Sequence, residues 1–136
     1  MNSKSLELSR TSVPASGKAL NFALWAGAGL LALAFLGACS GKLMGRPEMV
    51  ALFETIGVGQ WFRYATGVCE LAGGIMVLVP RTRIWGAGLL ACVMLGAIAT
   101  HLAILHNSPA GPLTLLILAG IVLWGRRLDV GRARDT

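Results

Sequence analysis

Four long apolar stretches alternate with short polar segments along the chain. They cover residues 21–41, 62–79, 84–105 and 110–125. An α-helix needs about 20 mostly apolar residues to cross the hydrocarbon core of a bilayer, and each stretch reaches or approaches that length. The pattern therefore predicts an all-α, polytopic membrane four-helix bundle within one domain over residues 19–127. A polar N-terminal tail at residues 1–18 and a basic C-terminal tail at residues 128–136 flank this domain.

The segment between the first two apolar stretches has a helical pattern of its own. Pro47 and Glu48 suit the first turn of a helix. Apolar residues then recur at helical spacing, at Met49, Leu52, Phe53 and Ile56. We therefore predict a short amphipathic helix here, either lying on the membrane surface or tucked into the bundle.

Composition and charge place the chain in a membrane rather than in water. Its residues are 55% hydrophobic and 13% charged, whereas about a quarter of the residues in an ordinary soluble domain are charged. The net charge is +6, but the cations flank the apolar stretches. At those positions they favour contacts with the lipid bilayer, and no nucleic acid partner is expected.

The distribution of lysine and arginine predicts the orientation of the helices. One side of the predicted bundle carries most of these residues: Lys4, Arg10, Lys18, Arg81, Arg83, Arg126, Arg127, Arg132 and Arg134. The opposite side carries Lys42, Arg46 and Arg63. Cytoplasmic loops of membrane proteins contain an excess of these cations, so both termini are predicted to be cytoplasmic.

The cysteines leave two alternatives open. Cys39, Cys69 and Cys92 lie in apolar stretches without C-x-x-C spacing, which favours packing residues over a metal site. Cys39 and Cys69 would lie near one face of the membrane, so a redox pair is one alternative. The other is a lipoprotein signal ending in lipidated Cys39, because a basic tail and an apolar run precede the sequence Leu-Gly-Ala-Cys at 36–39. No metal site or covalent cofactor is predicted, because zinc-protease and haem-attachment motifs are absent from the sequence.

An acidic residue inside an apolar stretch is the leading candidate for a functional site. Glu70 lies within Tyr64–Val79, which is otherwise uncharged. A charged side chain at the centre of a bilayer costs about 2.5–3.5 kcal/mol on insertion scales, so such residues usually face a protein interior and find a partner. In the predicted orientation, Lys42, Arg63 and His101 share the outer half of the bundle with Glu70. We predict that these four residues bind a ligand or exchange a proton.

Structural roles are the alternatives for the same residues. Glu70 would then pin two helices together through an ion pair with Lys42 or Arg63. His101 would be a packing residue, and the two cations would extend to the membrane interface. Two glycines share the helix face of Glu70 and would let a neighbouring helix or a ligand come close: Gly67 and Gly74.

The order of several short motifs resembles the DoxX-like family of small bacterial membrane proteins. The matching segments are Gly-Lys-Leu at 41–43, Glu-Leu-Ala-Gly-Gly at 70–74, Pro-Arg at 80–81, Gly-Ala-Ile-Ala-Thr-His-Leu at 96–102, and an arginine pair at 126–127. The resemblance implies a multi-pass four-helix protein of the bacterial inner membrane. Some members are similar to quinone-linked membrane subunits of thiosulfate oxidation, and others resemble partners of redox-defence enzymes.

Together these features favour an accessory membrane protein that is not an enzyme on its own. The expected ligand is a small lipophilic molecule such as quinone, bound beside an oxidoreductase partner. The alternatives are a small proton-coupled transporter and a purely structural assembly factor, because intramembrane acids also mark proton relays. Glycine-rich helix faces would permit a homo-oligomer.

Overall fold

The protein is helical throughout the part that the structure describes. The computed structural model describes residues 15–132, with side chains for residues 17–125. Five helices follow one another: α1 (Ala15–Leu43), α2 (Pro47–Ile56), α3 (Gln60–Leu78), α4 (Arg83–Ala103) and α5 (Ala110–Arg132). Residues 15–132 contain no strand, which confirms the all-α prediction for that part of the chain. Parts of the two predicted tails, residues 1–14 of the first and 133–136 of the second, lie outside the described residues.

The first and last helices extend beyond the apolar stretches that predicted them. α1 begins at Ala15, inside the segment predicted as a polar tail, and α5 continues to Arg132, inside the predicted basic tail. Neither extension contains a proline. Lengthening an existing helix adds one hydrogen bond for each residue that is ordered, so polar residues continue a helix readily.

Two of the helices are long and apolar enough to cross a membrane. They are α1 over Gly17–Leu43 and α4 over Arg83–Ala103. The apolar part of α5, Ala110–Gly125, is shorter. α3 is less apolar because it carries Arg63 and Glu70.

The four long helices each pack against two others. α1 contacts α3, α3 contacts α4, α4 contacts α5, and α5 contacts α1. The buried residues at their centre come from all four helices: Ala28, Leu31, Phe35, Val77, Ala87, Leu90, Met94, Ala119 and Val122. Lipid tails are as apolar as these side chains, so within a bilayer close packing of the helices, rather than removal from water, holds such a cluster together.

The short turn between α3 and α4 brings their backbones into close contact. A Cβ added at Gly86 would lie 2.8 Å from Gly73 O and 2.8 Å from Val77 N. Real Cβ atoms do not approach backbone atoms this closely, so only glycine fits at residue 86 without a shift of the helices. Small residues at a helix interface permit this approach.

The structure gives Arg83 a role other than that of the loop cation predicted from the sequence. Its side chain is only 3% exposed, its Nε donates to Val77 O at 2.9 Å, and its guanidinium lies 4.4 Å from the centre of the Trp25 ring. The last carbonyl groups of a helix lack partners within the helix and carry partial negative charge. Arg83 therefore caps the end of α3, whereas the neighbouring Arg81 is exposed.

Candidate functional site

A buried ion pair joins α1 to α3. Lys42, in the last turn of α1, donates from Nζ to Glu70 Oε1 in the middle of α3. Glu70 is fully buried, and the Lys42 side chain is 16% exposed. Charges removed from water are tolerated when they are paired at close range. The buried acid predicted from the sequence therefore has a partner, and that partner is the lysine.

Glu70 has one oxygen that remains unpaired within the described residues. Its Oε1 receives the Lys42 ammonium, whereas its Oε2 is buried and accepts no hydrogen bond from any side chain or backbone group described in the structure. A carboxylate has about four acceptor positions on its two oxygens. Glu70 therefore retains capacity to bind a further donor.

Arg63 lies beside this ion pair, but it contacts the backbone of Lys42 rather than the carboxylate of Glu70. Its Nη1 donates to Lys42 O, its Nε donates to Gln60 Oε1 at 2.7 Å, and its guanidinium lies 4.2 Å from the centre of the Tyr64 ring. The Arg63 side chain is 4% exposed. It caps the end of α1, just as Arg83 caps the end of α3, and so fixes the residue that carries the ammonium.

Gly67 allows the end of α1 to lie directly on α3. A Cβ added there would be 3.1 Å from Leu43 Cδ2 and 3.4 Å from Lys42 Cβ. An added Cβ would therefore require Leu43 or Lys42 to shift by a few tenths of an ångström. Gly74, on the same face of α3, is less crowded, with Phe35 Cβ at 3.9 Å from the added atom.

A cavity of about 950 Å³ adjoins the ion pair. Its wall includes Glu70 and Lys42, and most of the remaining wall is apolar, with residues from all five helices. It lies where α1 and α4 end and where α3 and α5 begin, so all the long helices contribute an end to it. Small-molecule sites have this form, an apolar cavity with a few polar groups.

His101 shares the cavity with the ion pair but has a partner of its own. It lies near the end of α4 and forms part of the wall. Its Nδ1 forms a hydrogen bond with Asn107 Oδ1 at 2.6 Å. Three of the four predicted residues, Glu70, Lys42 and His101, thus surround one cavity, while Arg63 lies outside its wall.

The family model described as the DoxX-like family matches residues 26–124. The chain belongs to the DoxX-like family. The matched region contains the ion pair of Lys42 and Glu70, the capping residue Arg63, and His101. Searches of curated protein sequences and of solved structures returned no match.

In this DoxX-like protein, α2 closes one side of the cavity. Phe53 is 4% exposed and packs edge-on against Phe62 of α3, with ring centres 5.9 Å apart. Gln60 Nε2 donates to Val50 O at 3.0 Å. Of the two placements that the sequence left open for this helix, the structure has it tucked against α3, with its apolar face toward the cavity.

Several residues in the cavity wall were not singled out as site residues from the sequence. They are Arg46, Glu48, Thr66, Thr100, Cys69 and Cys92. Whether they line a cavity depends on how the helices are rotated against one another. Two of them did have a signal in the sequence: Glu48 lies one residue after the proline that begins α2, and Thr100 lies within the segment at 96–102 that resembles the family.

The cysteines of this DoxX-like protein are all free thiols. Cys39 is buried, and its Sγ donates to Leu36 O within its own helix at 3.3 Å. Cys69 lies in the cavity wall instead, so the two residues of the alternative redox pair are not joined by a disulfide. Among the described residues, no three His, Cys, Asp or Glu side chains are grouped to hold a metal ion.

Proposed function

We propose that this DoxX-like protein is an accessory membrane protein that binds a small lipophilic ligand in the cavity beside Glu70 and Lys42. Quinone is the ligand class that we expect, and an oxidoreductase is the expected partner. The observation that carries the proposal is a buried ion pair in the wall of a largely apolar cavity.

We further propose that all four long helices cross the bacterial inner membrane, with both termini in the cytoplasm. Each of these helices exposes large apolar side chains, for example Leu33, Ile75, Leu95 and Ile121. Water-soluble monomers rarely expose apolar surface on this scale. The bias of lysine and arginine supports the orientation, which would place the cavity in the outer half of the membrane.

The lining of the cavity supports a ligand with an apolar body and a polar head. Its apolar residues, such as Leu52, Ile56 and Leu115, suit a ring and a hydrocarbon tail. Its volume of about 950 Å³ is within the range of about 300–1,000 Å³ that is typical of small-molecule sites. A quinone reaches such a site from the bilayer and presents an oxygen to the Lys42 ammonium, which carries three N–H groups.

Binding of a short-chain quinone analogue to the full-length protein in detergent tests this proposal. We expect saturable binding that Glu70→Gln weakens by about tenfold or more, since the substitution replaces the ion pair at the polar end of the cavity. Glu54→Gln is the matched control, because Glu54 is an exposed acid outside the cavity wall. Equal affinity in the parent and Glu70→Gln, or no binding at all, would contradict the proposal.

The same ion pair also supports a purely structural role, in which Glu70 only holds α3 to α1. In that case Glu70→Gln lowers the stability of the protein or its recovery with a partner, and no ligand signal is present in the parent. Purification in mild detergent, followed by identification of the proteins that accompany it, tests the oxidoreductase partner directly. We expect an oxidoreductase to be recovered with the parent protein and also with the Glu54→Gln control.

A further inference from the structure

The two oxygens of Glu70 have different surroundings. Oε1 accepts from the Lys42 ammonium, and Oε2 is buried without a hydrogen bond from the described residues. A carboxylate in an ion pair is ionised and can only accept hydrogen bonds. A buried acceptor without a partner is unfavourable, more so when it is charged. A ligand that brings a donor to this carboxylate removes that cost.

A hydroxyl group suits both members of the ion pair at once. It donates its proton to an acceptor and accepts through its lone pairs, so one ligand hydroxyl could donate to Glu70 Oε2 and accept from Lys42 Nζ. The ammonium has three N–H donors, of which one is directed to Glu70 Oε1. A ligand carbonyl could only accept from the lysine and would leave Oε2 unpaired.

Four other polar side chains of the cavity wall, those of Thr66, Thr100, His101 and Glu48, do not provide a second buried acceptor without a partner. The hydroxyls of Thr66 and Thr100 donate to backbone carbonyls of their own helices. His101 is bonded to Asn107, and Glu48 is exposed rather than buried. The unpaired buried acceptor among the wall's side chains is therefore Glu70 Oε2.

We propose that the cavity selects ligands with a phenol-type hydroxyl, and that it binds a reduced quinol in preference to the oxidised quinone. The inference depends on the proposed function, because it specifies which chemical form of the ligand the site takes. A hydrogen bond to a charged group corresponds to about tenfold or more in affinity.

Three ligands with the same ring substituents and tail test the preference. A short-chain quinol, its dimethyl ether and the corresponding quinone are titrated under anaerobic conditions into the full-length parent protein in detergent. We expect the quinol to bind about tenfold or more tightly than either of the others. The ether retains the oxygens but has no O–H donor; because it also adds two methyl groups, the Glu70→Gln variant is needed to attribute the preference to the hydrogen bond.

Two variants test whether Glu70 is the acceptor of the quinol hydroxyl. In Glu70→Gln the preference for the quinol over the quinone should fall to less than about threefold, because the amide both donates and accepts. Glu54→Gln should keep the full preference. Circular dichroism and gel filtration show whether each variant is folded. The titrations of the parent protein test the preference even if a variant does not fold.

The outcomes separate this inference from the proposal on which it depends. Equal binding of quinol and quinone by the parent would overturn the preference and leave the cavity as a quinone site. A preference that persists in Glu70→Gln would overturn the role of Glu70 Oε2. Absence of binding for all three ligands would overturn the proposed function itself, and the inference with it.

Discussion

Removal of the Lys42 ammonium should destabilise the protein strongly. Lys42→Met keeps most of the apolar stem and deletes the charge. Glu70 would then be left fully buried without the cation that the structure gives it. Breaking a buried ion pair by removing one partner costs about 3–5 kcal/mol, because the remaining charge is uncompensated.

The structure places the expected cost near the lower end of that range. The Lys42 side chain is 16% exposed, and partial contact with solvent weakens an ion pair. We therefore expect a loss of about 3 kcal/mol in the free energy of unfolding. The double variant Lys42→Met with Glu70→Met should recover most of this loss, since replacement of both charges by apolar residues is often neutral.

Equilibrium unfolding in mixed detergent micelles, followed by circular dichroism, measures these differences. Lys18→Met is the matched control, because Lys18 is an exposed lysine on the same helix. Its effect should stay within about 0.5 kcal/mol. The reasoning is refuted if Lys42→Met costs less than about 1 kcal/mol, or if the double variant is less stable than the single one.

Three further substitutions test the packing of the helices, two at the turn between α3 and α4 and one in α2. Gly86→Ala would place a Cβ 2.8 Å from backbone atoms of α3 and should lower the free energy of unfolding by about 1–3 kcal/mol in the same measurement. Gly88→Ala is the control, because the space around Gly88 is open; it should be neutral or stabilising by up to about 1 kcal/mol. Arg83→Met should cost about 1–3 kcal/mol through loss of its buried hydrogen bonds, and equal stability of this variant and the exposed Arg81→Met would contradict its capping role. Phe53→Ala should accelerate amide hydrogen exchange in α2 by about tenfold or more relative to the long helices, and unchanged exchange would show that other contacts hold α2.

The helices were predictable because their signals are local. Apolar runs and prolines mark α1, α3, α4 and α5, and the helical spacing of apolar residues marks α2. The spacing of Gly67 and Glu70 on one face of α3 depends only on helix geometry. The close approach of α1 at Gly67 follows that expectation. The outer limits of α1 and α5 differed most, since polar residues can extend a helix, and the other limits differed by no more than one or two residues.

The roles of the arginines were not predictable in the same way. Arg63 and Arg83 resemble cations at helix ends, where they usually extend to water or lipid headgroups. In the structure each is buried and donates to a carbonyl at the end of another helix. Which carbonyl lies within reach depends on how two helices end beside each other, and no sequence spacing encodes that distance.

The sequence by itself determined the helices, the family and the presence of an acid that needs a partner, because periodicity and composition act over a few turns of chain. It also placed Lys42, Glu70 and His101 near one end of the helices, since consecutive helices alternate in direction. Only the tertiary structure decided that the lysine pairs with Glu70, that the arginine holds the lysine's carbonyl, and that the histidine bonds to Asn107. The first two choices depend on the rotation and contact of whole helices, which bring together residues that are 28 and 21 positions apart along the chain. The third depends on how the chain turns after α4, since its two residues are six apart.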